Sequence, residues 1–298
     1  MLMGKTTEGL NPASRGIDAR PLGEILRLIN GEDRRVAEAV MGQLSAIESA
    51  AERMVEALRG GGRVFLVGAG TSGRLCVLEA AEVPPTFGVP PSLIQGVIAG
   101  GVPALYGSVE AAEDDADAAR GELEARRLGP LDLVVGVTAS GSTPFTLGAV
   151  RYAAEVDAAT VGLSCNRGSP LSGLVDVPVE VVVGPEMVAG STRMKAGTAQ
   201  KMVLNMLTTA SMIRLGRVHD GYMVGVRASN AKLMDRARRT LSAVTGIPQE
   251  EAALALEAAG GDLRAAILMA LAGVGADEAS EALSGWVSVR DALRRMKS

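Results

Sequence analysis

Five short apolar runs recur through the middle of the chain: Arg63–Val67, Leu93–Ala99, Leu131–Thr138, Thr160–Ser164 and Val177–Val183. Helical patterns separate them. None shows a strict apolar–polar alternation, so each is expected to be covered on both faces. Short buried strands alternating with helices specify an α/β fold, a doubly wound five-stranded parallel sheet. In such a sheet, ligands bind at the carboxyl ends of the strands. The Gly- and Ser-rich segments Gly68–Arg74, Ala99–Gly101, Ala139–Thr143 and Ser164–Ser169 fall at those ends.

The flanking segments follow other patterns. Residues 1–20 read as extended and polar, punctuated by Gly9, Pro12 and Gly16, and a short helix is expected near Pro21. Asp33–Arg59 reads as one amphipathic helix, with Val36, Val40, Leu44, Ile47, Ala51, Met54 and Leu58 on its apolar face. Ala196–Leu215 is apolar nearly all round, so it is central or buried in a partner. From about Ser229 the chain reads as helical: Ala231–Val244, Gln249–Ala259, Asp262–Ala272 and Asp277–Leu283. In hydrophobic spacing this tail resembles small three-helix modules of the ubiquitin-associated type, and it is expected to pack on the sheet domain or a sister subunit. The expected domains are an N-terminal arm with helices (1–53), the sheet domain (54–217) and a C-terminal helical region (218–298).

Composition removes several classes of function. Hydrophobic residues make up 47% of 298, enough for a substantial core. Aromatic residues at 2% and a net charge of -4 leave neither a stacking platform nor a basic surface for nucleic acid. Cys76 and Cys165, the only cysteines, lie in or beside predicted buried elements and point to a reducing, cytoplasmic setting. The N-terminus has no apolar signal core, and no apolar run is long enough to cross a membrane. One histidine, His219, and two separated cysteines offer no zinc cluster. Chemistry therefore falls to carboxylates, hydroxyls, lysines or backbone, with no cofactor called for.

Three loops carry polar groups suited to an anion. Gly184–Lys201, GPEMVAGSTRMKAGTAQK, places Ser191, Thr192, Arg193 and Lys195 just before a helix start. Helix N–H groups beside hydroxyls and cations suit a phosphate, although a polar strand-to-helix loop accounts for the same residues. Gly68–Arg74 has the glycine spacing of a dinucleotide loop, but no acidic residue ends the next strand. Thr71 and Ser72 read instead as sugar or phosphate contacts. Thr138–Pro144 sets Ser140, Ser142 and Thr143 around Gly141, with Pro144 opening a helix. One hydroxyl suffices for a helix cap; three suit a phosphate monoester.

In this order the loops resemble those of sugar isomerase domains, which bind phosphosugars. GPEMVAGSTRMKAGTAQK is similar to a signature shared by N-acetylmuramic acid 6-phosphate etherases and the glucokinase regulatory protein. GAGTSGR, AEVPPTFG, IAGG, EAAED, ASGSTP, GLSCN and the opening TTEGLNPASRGID resemble the etherases along essentially the whole chain. The regulatory protein carries two such domains, and this chain has room for one.

The resemblance implies removal of D-lactate from N-acetylmuramate 6-phosphate by a homodimer without metal or redox cofactor. It assigns Glu82, in AEVPP, to protonating the departing lactate and Glu113, in EAAED, to removing the C2 proton. Read from the residues alone, Glu82 is a surface helix end held by Pro84 and Pro85. Glu113 is then part of a charge run with Glu110, Asp114 and Asp115. Ser140, Ser142 and Thr143 are expected on the phosphate with Ser72 in support, and Ser191, Thr192 and Lys195 along the sugar. Glu186 meets a sugar hydroxyl or pairs with Arg193 or Lys195. The chain departs from the family at Ser142, where members commonly carry Arg, leaving Arg74 or Lys195 to compensate. It departs again at Gly221 and Gly225, where Asn and Asp are frequent. A non-catalytic phosphosugar sensor and an aldose–ketose isomerase are the alternatives, and lactate release separates all three.

Overall fold

The computed structural model describes residues 6–109, 111–225 and 231–297. Its N-terminal segment is not extended but wound into three 3-10 turns, Thr6–Glu8, Pro12–Ser14 and Ile17–Ala19. Asn11 caps the second, its side chain accepting from the Ala13 N–H at 2.9 Å. Thr7, Asn11 and Ser14 are buried. Polarity alone predicted solvent exposure here; buried polar groups instead require partners, and these lie far along the chain.

Three helices follow: α1 (Leu22–Asp33), α2 (Arg35–Met41) and α3 (Leu44–Arg59). The single helix expected over Asp33–Arg59 is thus interrupted at Gly42 and Gln43. Gln43 leaves helical geometry (φ -117°, ψ 10°), and its side chain accepts from the Glu180 N–H at 3.3 Å. The apolar face is nevertheless shared, with Val36, Val40, Ile47, Met54 and Leu58 buried.

The alternating region is β1 (Val64–Gly68), α4 (Gly70–Phe87), β2 (Ile94–Ile98), α5 (Pro103–Tyr106), α6 (Ala116–Ala125), β3 (Leu133–Val137), α7 (Pro144–Glu155), β4 (Ala159–Ser164), β5 (Val177–Glu180) and α8 (Lys195–Arg214). The five strands form one parallel sheet in the order β2-β1-β3-β4-β5, as the sequence predicts. Phe65, Val67 and Val134 join one core cluster with Phe145 and Val150 of α7 and Ala119 and Leu123 of α6. The alternate residues Val64, Leu66, Leu133 and Val135 are equally buried, so both faces are covered. β5 stops at Glu180, short of the expected Val183. Pro178 is tolerated in it because β5 is the edge strand. The chain reverses direction across the sheet between β1 and β3, where doubly wound folds place their ligands.

The chain divides into two compact units, one comprising residues to Ala81 and Ser92–Thr208, the other Glu82–Pro91 and Thr209 onward. The first holds the sheet. In the second, β6 (Val218–His219) pairs antiparallel with β7 (Tyr222–Met223). Five helices follow: α9 (Ala231–Thr245), α10 (Gln249–Ala258), α11 (Leu263–Ala272), α12 (Ala276–Ala282) and α13 (Val289–Lys297). The sequence reading did not include α13. α11 is the centre, burying Leu263, Ala265, Ala266, Ile267 and Leu268 among its neighbours. Gly225 has a packing reason, since a Cβ there would fall 2.2 Å from the Phe87 carbonyl oxygen. Residues 226–230, where the helical tail was expected to start, and Glu110 of the charge run lie outside the described residues.

Within the first unit, one ion pair ties α1 to α8. Lys195 Nζ lies 2.6 Å from Glu32 Oε2, with the side chains 2% and 8% exposed. Asn11 Nδ2 donates to the same carboxylate oxygen at 2.8 Å, and Arg35 reaches the other at 2.9 Å. Burial raises the Glu32 pKa, but the bonds from Lys195 and Asn11 and the charges of Lys195 and Arg35 outweigh it and hold it below 4.5. Removing one partner of a buried pair strands the other, at about 3–5 kcal/mol. Glu32→Ala is therefore expected to destabilise the fold by about that amount in urea denaturation at pH 7. A carboxylate with a lowered folded pKa contributes stability above its unfolded pKa and loses it as pH falls through the folded value. Stability should accordingly decline as pH drops below 4.5, and Glu32→Gln should lack that component of the decline.

Candidate functional site

The carboxyl edge of the sheet is built from four loops joined in a ring. After β3, Thr138 Oγ1 meets Thr143 Oγ1 at 2.7 Å and Ser140 Oγ at 3.2 Å. Ser140 Oγ accepts from the Ser142 N–H and hydroxyl, both at 3.2 Å. Thr143 is the N-cap residue of α7, yet its side chain makes no cap bond. These hydroxyls are thus held by one another at the helix start. Gly141 adopts φ +71°, and a Cβ there would lie 2.2 Å from Ser169 Cβ. Only glycine lets this loop fold against the next one.

That next loop, after β4, is stitched on by backbone bonds from Cys165 N to Ala139 O at 3.0 Å and from Leu171 N to Gly141 O at 2.9 Å. Asn166 Nδ2 adds a bond to the Ala139 carbonyl at 3.0 Å. The stretch before α8 closes the ring. Cys165 Sγ approaches the Ala196 carbonyl at 3.9 Å, and Ser72 Oγ meets Gln200 Oε1 at 3.0 Å. A Cβ at Gly197 would touch Thr71 Cγ2 at 3.4 Å. Thr71 and Ser72 lie in the first turn of α4, and Ser191 and Thr192, both half-buried, precede α8. Three helix N-termini, those of α4, α7 and α8, thereby gather on one edge.

Glu186 and Lys195, both expected near the sugar, have partners within the protein. Glu186 is fully buried, and its two oxygens accept the Lys195 and Ala196 N–H groups at 3.0 and 2.9 Å. It caps α8 where the positive end of the helix favours a carboxylate. Lys195 is held by Glu32.

The N-terminal arm supports this edge. Thr7 and Asn166 exchange two bonds, at 3.4 Å and 3.1 Å, and Asn11 Nδ2 donates to the Pro185 carbonyl at 3.0 Å. Sequence reasoning missed Thr7, Asn11, Glu32, Asn166 and Gln200. The similarity of TTEGLNPASRGID to one family's opening was the only signal for the first two.

Beside the ring, between the ends of β1 and β2, lies a cleft of about 320 Å³. Ala69, Gly70, Ala99, Val109 and Ala112 form part of its wall, and Arg74 and Glu113 are its charged lining residues. Glu113 sits in a 3-10 turn, Ala112–Asp114, entered through Ala111 at φ 63°. The charge run resolves into separate jobs: Asp115 caps α6 through the Ala118 N–H at 2.9 Å, whereas Glu113 faces the cleft. Glu82 is exposed on α4, within the second unit.

Residues 46–154 match the glucokinase regulatory protein N-terminal SIS domain, and residues 114–210 match the SIS domain. A solved phosphoheptose isomerase from Neisseria gonorrhoeae has the same sheet fold, with a TM-score of 0.50 at 18% identity, covering 64% of this chain and 98% of the other. Fold and loops thus define a protein built on a sugar isomerase domain. Similarity to N-acetylmuramic acid 6-phosphate etherases extends much further. That of Rubrobacter xylanophilus is 56% identical over 96% of this chain and 95% of its own. Those of Geobacillus thermodenitrificans and Cutibacterium acnes are 48% and 49% identical, over 95% and 94% of this chain and 96% and 92% of their own. The chain belongs to the N-acetylmuramic acid 6-phosphate etherase family.

Neither thiol serves this chemistry. Cys76 and Cys165 are both fully buried. Burial, with the Glu186 charge adding to it, pushes the Cys165 pKa up to about 12; burial raises Cys76 too, with Glu79 adding to it. Thiolate is the reactive form. The folded protein should leave both thiols unmodified by an aromatic disulfide reagent at pH 8, whereas the protein in denaturant should titrate two.

Proposed function

We propose that the protein cleaves the D-lactyl ether of N-acetylmuramic acid 6-phosphate by elimination and hydration, giving N-acetylglucosamine 6-phosphate and D-lactate. The observation that supports this reading is the cleft that holds Glu113 beside the hydroxyl loop, in a chain more than half identical to a named etherase. The Thr138–Thr143 hydroxyls and the α7 N-terminus supply the donors a phosphate monoester needs. Ser140, Ser142 and Thr143 take the phosphoryl group with Ser72 in support, and Thr71, Ser191 and Thr192 lie along the sugar.

An ether oxygen is a poor leaving group, so direct displacement is slow. In the open-chain sugar the C2 proton is acidified by the C1 aldehyde. Glu113 removes it, and the electron pair forms the C2–C3 double bond as the C3–O bond breaks. Glu82 protonates the departing lactate oxygen. Water then adds at C3 of the unsaturated aldehyde, its proton passing to a carboxylate, and C2 regains a proton. Substrate and water are thereby converted to the two products, with no electrons gained or lost. Each acid–base role contributes about 10² to 10⁴ in rate.

Wild-type protein given N-acetylmuramate 6-phosphate should release D-lactate. Glu82→Ala and Glu113→Ala should each lower kcat by about 10² or more, while Ser140→Ala should mainly raise KM. Turnover unchanged by both glutamate substitutions would remove the assignment. Sugar-phosphate binding without lactate release would favour a regulatory role.

The working form in this proposal is a cytoplasmic homodimer. Leu22 and Leu26, four residues apart on α1, are 71% and 57% exposed, and Met41 and Leu44 are exposed too. Apolar side chains left at a surface suit a sister subunit, and two free thiols suit a reducing compartment. Sedimentation equilibrium should give twice the chain mass at micromolar concentration; a monomer would refute the dimer.

A further inference from the structure

We propose that Arg74 binds the lactyl carboxylate of the substrate and so distinguishes it from the lactate-free product. This rests on the etherase reading above, whose substrate carries two anions, the phosphate at C6 and the lactyl carboxylate on C3. The hydroxyl ring suits the first. The second needs its own cation, and the candidates are few. Lys195 is buried against Glu32. Arg193 is exposed and is not among the cleft-lining residues. Arg74 lines the cleft with Glu113, and among the described residues neither has an ion-pair partner.

The arginine is also prepared for the task. Its Nη2 donates to the Gly107 carbonyl at 2.9 Å, which fixes the guanidinium at the cleft and leaves other N–H groups for a carboxylate. A planar guanidinium matches a carboxylate with paired hydrogen bonds, as a lysine does not. Part of the remaining wall, Ala69, Ala99, Ala104 and Val109, is small and apolar beside Ser108, and that part suits the lactyl methyl. Position agrees with this. The hydroxyl ring follows β3 and the cleft follows β1 and β2, two strand spacings or about 10 Å at most, within reach of one extended sugar phosphate.

The obvious competitor is that Arg74 reads the phosphate in place of the arginine replaced by Ser142. Substrate and product share the phosphate and differ in the lactyl group, so they separate the two roles. In Arg74→Gln, kcat/KM for D-lactate release should fall at least about 10-fold, mainly through KM. The inhibition constant of N-acetylglucosamine 6-phosphate should stay within about twofold of wild type, which also reports an intact fold. Arg74→Lys should restore part of the loss, since it keeps the charge and loses the fork. A parallel weakening of substrate and product would assign Arg74 to the phosphate or the scaffold and overturn the proposal. No change in either would overturn it as well. Failure of the wild-type protein to release lactate would instead sink the etherase reading, and this assignment with it.

Discussion

Everything at the carboxyl edge of the sheet depends on how the start of α8 is fixed. Glu186 occupies the first N–H groups of that helix, and Lys195 projects into the Glu32 carboxylate. A loop rich in glycine and hydroxyls has little apolar surface to hold it, so ionic and hydrogen-bonded anchors must do so. Such groups are costly to bury singly and stable only when every member has a partner. Asn11, Arg35 and the Pro185 carbonyl complete the set. The pair thus sets the position of Ser191 and Thr192 without touching them.

This arrangement divides the polar residues by task. Those that look most reactive, a buried lysine and a buried glutamate, hold the frame. Neutral hydroxyls bonded to one another stand at the start of α7, apart from that frame. Among the described residues, charge enters the cleft at Arg74 and Glu113, which form no ion pair with each other. A cation and a carboxylate on one wall can act on separate parts of a ligand.

The sheet was legible because its strands are short, continuous and apolar, and because glycine and serine mark their ends. The hydroxyl loop after β3 was legible for the same reason. Glu113 could not be chosen by chemistry from among its acidic neighbours. Only the fold shows that Asp115 turns to a helix N-terminus while Glu113 faces a cleft. The internal partners of Lys195 and Glu186 were not legible in full, because a sequence lists polar groups without showing which already have partners. The break at Gln43 escaped notice because α2 and α3 keep one apolar periodicity across it. The arm escaped notice because its polar residues look like surface, and hydrogen-bond partners about 160 residues away are invisible to local pattern.

Those separations bear on the order in which the molecule can form. Thr7 meets Asn166 across 159 positions, Glu32 meets Lys195 across 163, and Asn11 meets Pro185 across 174. Each of these contacts therefore closes a loop of more than half of the 298 residues. Contacts of such high sequence separation form late and slow the final step of folding. The strands can pair before these contacts tie the arm and α1 to the carboxyl edge of the sheet.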